Sequence, residues 1–180
     1  IMGEAPPAFN ILVAYVILGT LLSYFAGRVP GELPTTKEMM FPVAVLCCFT
    51  MAYSLLDVMG AGKAKFKAGL DKVPYAKLDA KLPEAAFLAE RAQMNQVEQF
   101  TGFALSTLSF AFFVNGTAAG WMSAIYTVLR FMYTSKYRGS VGKAMENMDL
   151  TKYTIPCYFL LNGMAAGTVV HAVRLLASSP

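Results

Sequence analysis

Apolar residues along this chain gather into five runs, separated by polar stretches rich in glycine and proline. The first runs from about Ala8 to Ala26 and is closed by Gly27, Arg28 and Pro30. A second extends from about Met40 to Met59 and ends at Gly60-Ala61-Gly62, which reads as a breaker. The third grows out of a polar helix that starts near Glu84, after Pro83, and continues to about Val114. Asn115-Gly116 is a tight turn into a fourth run, about Thr117 to Tyr133, and the fifth spans about Tyr153 to Leu176. At ~1.5 Å rise per residue, runs of about 20 residues cover the ~30 Å hydrocarbon core of a bilayer. The pattern predicts an all-α membrane protein with five spans.

Five spans put the 60–90 and 134–151 connections on one side of the membrane. Most of the 15 Lys and Arg residues fall there: Lys63, Lys65, Lys67, Lys72, Lys77, Lys81, Arg91, Lys136, Arg138, Lys143 and Lys152. The positive-inside rule makes that side cytoplasmic, or stromal or matrix-facing in an organelle. Asp57 lies near the exit of the second run, where solvent or a basic neighbour can satisfy it. Asn115-Gly116-Thr117 matches a glycosylation acceptor in form, but a turn this short between spans is out of a transferase's reach. Gly116-x-x-x-Gly120 and Gly163-x-x-x-Gly167 are small-residue patterns that allow close helix approach, within one chain or between chains. His171, the single histidine, lies toward the far end of the last run, where packing is its expected role.

Composition agrees with this picture and narrows it. A chain of 180 residues is one domain by length, and 56 % of it is apolar against about 45–50 % in soluble domains. The net charge of +4 is not a nucleic-acid footprint, because the basic residues sit in two connections rather than on an aromatic-studded surface. Anionic membrane lipids are the better counter-charge. Cys47, Cys48 and Cys157 all lie inside apolar runs without metal-type spacing, and read as small hydrophobes.

Two polar clusters interrupt the apolar pattern. In Glu90-Arg91-Ala92-Gln93-Met94-Asn95-Gln96-Val97-Glu98, the residues Arg91, Asn95 and Glu98 fall at i, i+4 and i+7 and share one helical stripe. A cation, an amide and a carboxylate at a membrane entry are costly unless partnered. They either satisfy one another along the helix or receive a small zwitterionic ligand. The second cluster closes the fourth run, where Arg130, Tyr133 and Tyr137 fall at i, i+3 and i+7, followed by Arg138. It reads either as an aromatic belt with a snorkelling arginine or as the facing wall of the same site. Two antiparallel helices joined by a short turn bring both stripes to one depth.

The segment Arg91-Ala92-x-x-Asn95-x-x-Glu98, followed by Arg130-x-x-Tyr133-x-x-x-Tyr137, resembles the signature of the MAPEG family, the membrane-associated proteins in eicosanoid and glutathione metabolism. The resemblance covers about residues 41–176. It implies a four-helix transmembrane bundle at 41–180, preceded by an extra N-terminal helix and connection at 1–40. It also implies a homotrimer with glutathione as co-substrate and sites between subunits. Carried over by position, Arg91, Asn95, Glu98 and Arg130 would bind glutathione, while Tyr133, Tyr137 and Arg138 would serve the sulfur chemistry on a lipophilic substrate.

Three departures stand against that carry-over. The first span is extra; Gln99 replaces a tyrosine of the leukotriene-C synthase type; and Ala144 occupies the place of the thiol-activating arginine, with Lys143 one residue away and Arg138 nearby. Two function classes follow. One is a membrane glutathione transferase or peroxidase acting on lipophilic electrophiles or lipid hydroperoxides. The other is a non-catalytic accessory subunit of a larger membrane complex; in either class the chain is expected in the endoplasmic reticulum or an organellar membrane.

Overall fold

The computed structural model describes residues 7–29, 32–70, 82–142 and 150–178, and these are almost wholly helical, with no strand among them. Five helices follow in order: α1 (Pro7–Ala26), α2 (Thr36–Lys67), α3 (Glu84–Phe113), α4 (Gly116–Arg138) and α5 (Thr151–Ser178). Two of them, α2 and α5, are long and apolar enough to cross a membrane, and the side chains of α1 described from Ile11 on form a shorter apolar helix. Lys72, Lys77, Lys81, Lys143 and Ala144 lie outside the described residues.

Local chemistry explains where the helices begin. Thr35 and Glu38 form a reciprocal capping box at the start of α2, four residues before the expected Met40. Glu84 opens α3 directly after Pro83, as the sequence predicts. Asn115 caps α4 by accepting from the Ala118 amide, so this position is a helix cap in a tight turn. Prolines 42 and 156 sit inside α2 and α5 and do not end either helix.

The expected breaker at Gly60-Ala61-Gly62 is a correction. The helix continues through all three residues to Lys67, and Gly69, at φ 68°, is the positive-φ residue that follows its end. A glycine lowers helix stability by only ~1 kcal/mol, which packing overrides: Ala61 is buried against the bundle. What does interrupt α2 is a π-helical segment, Tyr53–Val58, in which Asp57 is the buried residue while Leu55, Leu56 and Val58 stay exposed.

The core lies between α2, α3, α4 and α5. Phe49 of α2 packs on Phe100, Phe103 and Phe131, and Phe103 stacks on Tyr126 with ring centroids 4.1 Å apart. Cys157 of α5 closes this cluster, whereas Cys47 and Cys48 are exposed. Toward the other end Phe110, Val114, Ala119 and Met164 form a second cluster. Between them Thr107 and Ser123 share a 2.8 Å hydrogen bond across α3 and α4.

Helix α1 docks on α5 and runs parallel to it: Tyr15 meets Phe159, Gly19 meets Ala166, and Gly27 meets His171. Both small-residue patterns serve packing within the chain. Gly163 and Gly167 admit Leu18, Leu22 and Phe110, while Gly116 and Gly120 lie against Glu38 and Phe41. His171 is buried, with Nδ1 3.3 Å from the Ser23 hydroxyl, and Arg174 donates to the Ser23 carbonyl at 2.7 Å. These contacts gather the described residues between α1 and α2 (27–29 and 32–35), the Asn115 turn and the end of α5 at one end of the bundle. The polar stripes of α3 and α4 lie at the other.

Candidate functional site

The register of α3 divides its polar residues between two faces. Ala92 and Gln96 turn inward and are fully buried, while Arg91 and Glu98 lie on the outer face with about half of each side chain exposed, 50 % and 52 %. Their charged groups are 3.8 Å apart, an ion pair along the helix stripe. Asn95 stands between the faces. Its side-chain amide donates to the Tyr133 hydroxyl of α4 at 3.2 Å, and its carbonyl accepts from Arg130 at 2.7 Å.

Arg130 is only 4 % exposed. Its Nε donates to the Gln96 side-chain oxygen at 3.0 Å, and its guanidinium carbon lies 5.0 Å from the centre of the Tyr133 ring. Tyr137 stacks on Tyr133 with centroids 5.8 Å apart and is buried against Leu88 and Ala92. Because Tyr133 accepts from Asn95, its own hydroxyl proton remains to be donated to a ligand.

Arg138 points elsewhere. It makes a 2.9 Å ion pair with Asp57 and donates to the Leu56 carbonyl, both in the π-helical segment of α2. Asp57 therefore has the basic neighbour expected of it, but not solvent: it is fully buried. Its second oxygen accepts from the Gln96 amide at 3.4 Å. The structure thus brings Asn95, Arg130, Tyr133 and Tyr137 together, sets Arg91 and Glu98 beside them on the outer face, and turns Arg138 toward α2. Gln96 and Asp57 complete the network and are absent from the stripes read in the sequence.

Around this centre two further contacts join the same end of the bundle. Lys65 and Glu90 pair at 2.8 Å between α2 and α3, and Glu84 accepts from the Gly142 amide at 3.0 Å. A cavity of about 270 Å³ opens between α2 and α3, lined by Phe49, Thr50, Tyr53, Val97, Phe100 and Thr101, with Gln96 in its wall. Gln93 donates to the Tyr53 hydroxyl at 3.4 Å nearby. Chemically, the assembly offers an exposed guanidinium and carboxylate, an amide and a phenol donor at one bundle end, backed by a fixed internal cation.

No curated protein and no solved structure matches the chain. The family model described as "MAPEG family" matches residues 39–146, which takes in α2 after its first turn, all of α3 and α4, and both polar stripes. With more than half of its length under that model, and with two helices able to cross a bilayer, the chain belongs to the MAPEG family of integral membrane proteins.

Proposed function

We propose that this protein is a membrane-bound, glutathione-dependent transferase or peroxidase acting on lipophilic electrophiles or lipid hydroperoxides. The observation that supports it best is the Asn95–Tyr133 hydrogen bond beside the half-exposed Arg91–Glu98 pair. Glutathione carries carboxylates, an ammonium, amides and a thiol. In this reading Arg91 binds a carboxylate, Glu98 the ammonium, and Asn95 the peptide backbone. Tyr133 donates its free proton to the sulfur and so favours the thiolate, the attacking species, over a thiol of ordinary pKa ~8.5. Tyr137 holds the Tyr133 ring by stacking, and Arg130 acts from behind by fixing Asn95 and the ring face.

The thiolate then attacks an electrophilic carbon, forming an S–C bond as the leaving group departs. With a hydroperoxide it attacks the O–O bond, which breaks to release an alcohol and leave a sulfenic acid. A second glutathione reduces that acid to the disulfide and water. The lipophilic substrate enters sideways from the bilayer.

In this proposal all five helices span the membrane, residues 1–40 form an added helix and connection, and residues 41–180 form the four-helix bundle. The basic connections face the cytoplasm, or the stroma or matrix of an organelle. The outer face bearing Arg91 and Glu98 is completed by a neighbouring subunit of a homotrimer, as is general in the family.

One feature favours a second reading, an accessory subunit of a larger membrane complex. Arg130 and Arg138 are both engaged with partners inside the chain, at 3.0 Å and 2.9 Å. The two readings part in one experiment: glutathione titrated by calorimetry into detergent-purified protein, with Arg91→Ala and Tyr137→Phe alongside. The enzyme reading expects millimolar or tighter binding that Arg91→Ala abolishes. A folded sample that binds no glutathione at cellular concentrations sinks it in favour of the accessory role.

A further inference from the structure

Behind the α3/α4 site runs a continuous buried chain of polar contacts. Arg138 pairs with one oxygen of Asp57, the other oxygen accepts from Gln96, Gln96 accepts from Arg130, and Arg130 donates to the Asn95 carbonyl. Asp57 and Gln96 are both fully buried. Two buried groups this polar would be expensive in an apolar bundle if packing were their only purpose. The direction of the chain is also fixed. A carboxylate can only accept, so Asp57 compels Gln96 to present its NH₂ to α2 and its oxygen to Arg130. Without that constraint the Gln96 amide is free to turn over and offer Arg130 a second donor, which would push the guanidinium away.

We propose that Asp57 and Gln96 are positioning residues of the glutathione site: Asp57, brought inward by the π-helical segment of α2, fixes the Gln96 amide, which fixes Arg130, which holds Asn95 and the Tyr133 ring in binding register. Neither residue touches the ligand. The inference rests on the glutathione reading above. It extends that site from the α3/α4 pair into α2, and it gives the π-helical segment a function.

Charge transposition tests it. Gln96→Glu alone sets two carboxylates against each other and removes the donor that α3 offers to Asp57. Asp57→Asn combined with Gln96→Glu moves the carboxylate from α2 to α3. The amide now at position 57 donates to the carboxylate now at position 96 and still accepts from Arg138. That relocated carboxylate still accepts from Arg130. Glutathione affinity is measured by calorimetry on monodisperse protein, where the stoichiometry reports the folded fraction and Kd the quality of each folded site. Gln96→Glu is expected to weaken Kd by about tenfold or more at unchanged stoichiometry, and the double variant to recover most of that loss.

Should Gln96→Glu fail to fold, Gln96→Met removes both hydrogen bonds without adding charge and is expected to show the same rise in Kd. A variant that lowers stoichiometry or melting temperature but keeps the wild-type Kd overturns the proposal, because the chain would then be structural only. Equal Kd for the single and double variants overturns it as well. A wild-type protein that does not bind glutathione overturns instead the functional reading on which the proposal stands, so the two failures are distinguishable.

Discussion

Arg91 and Arg130, 39 positions apart on facing helices, should respond to mutation in opposite ways. Arg91 is half exposed in an ion pair 3.8 Å long, an interaction of ~0–1 kcal/mol, so Arg91→Ala should leave thermal unfolding in detergent nearly unchanged. Arg130→Ala strips a donor from buried Gln96 and from the Asn95 carbonyl, and should cost about 1–3 kcal/mol for each acceptor left unsatisfied, read as a drop in the same melt. Tyr133→Phe removes the acceptor of the Asn95 amide and should cost ~1 kcal/mol of stability; under the proposed function it should also abolish the thiolate absorbance expected of the wild-type protein with glutathione. That Asn95 and Tyr133 lie at one depth was legible in the sequence, because a short turn joins two antiparallel helices; that Asn95 alone of its stripe reaches Tyr133, while Arg91 and Glu98 face outward, was not. Gln96 was not. It lies one residue, about 100°, off the stripe, and its partner Asp57 is 39 residues back on another helix, so nothing local marks it.

Glycines make the helices legible in part and misleading in part. Gly60 and Gly62 look like a stop in the sequence, yet α2 passes through both, because a helix that packs along its length tolerates a propensity loss of ~1 kcal/mol. Gly62 has open space where a Cβ would go, so Gly62→Ala should raise stability by about 0.5–1 kcal/mol. Gly120→Ala should do the reverse, since its Cβ would lie 2.2 Å from the Phe41 ring. Denaturant melts of the two variants side by side check both signs. The π-helical segment Tyr53–Val58 has no residue signature of its own, and the partner it meets through Asp57 and the Leu56 carbonyl, Arg138 of α4, lies 82 positions beyond Leu56.

At the scale of the molecule, α1 leans on α5 while the family-matched stretch, 39–146, lies in α2 to α4 and beyond. Deleting residues 1–34, which keeps the Thr35 cap, should therefore leave a folded, helical bundle with glutathione affinity within about threefold of the full chain. Circular dichroism, gel filtration and calorimetry on the shortened protein decide this. A bundle that collapses without α1 would show that the first helix is part of the core.

The parallel docking of α1 on α5 also has a consequence for biosynthesis. Ser23 and Arg174 are separated by 151 positions, so α1 leaves the ribosome well before α5 and finds its seat only when α5 arrives. Until then the Gly19 face of α1 lacks its partner, and an interruption of synthesis before His171 leaves α1 without its seat. The Ser23–His171–Arg174 latch thereby closes only after α5 has been made.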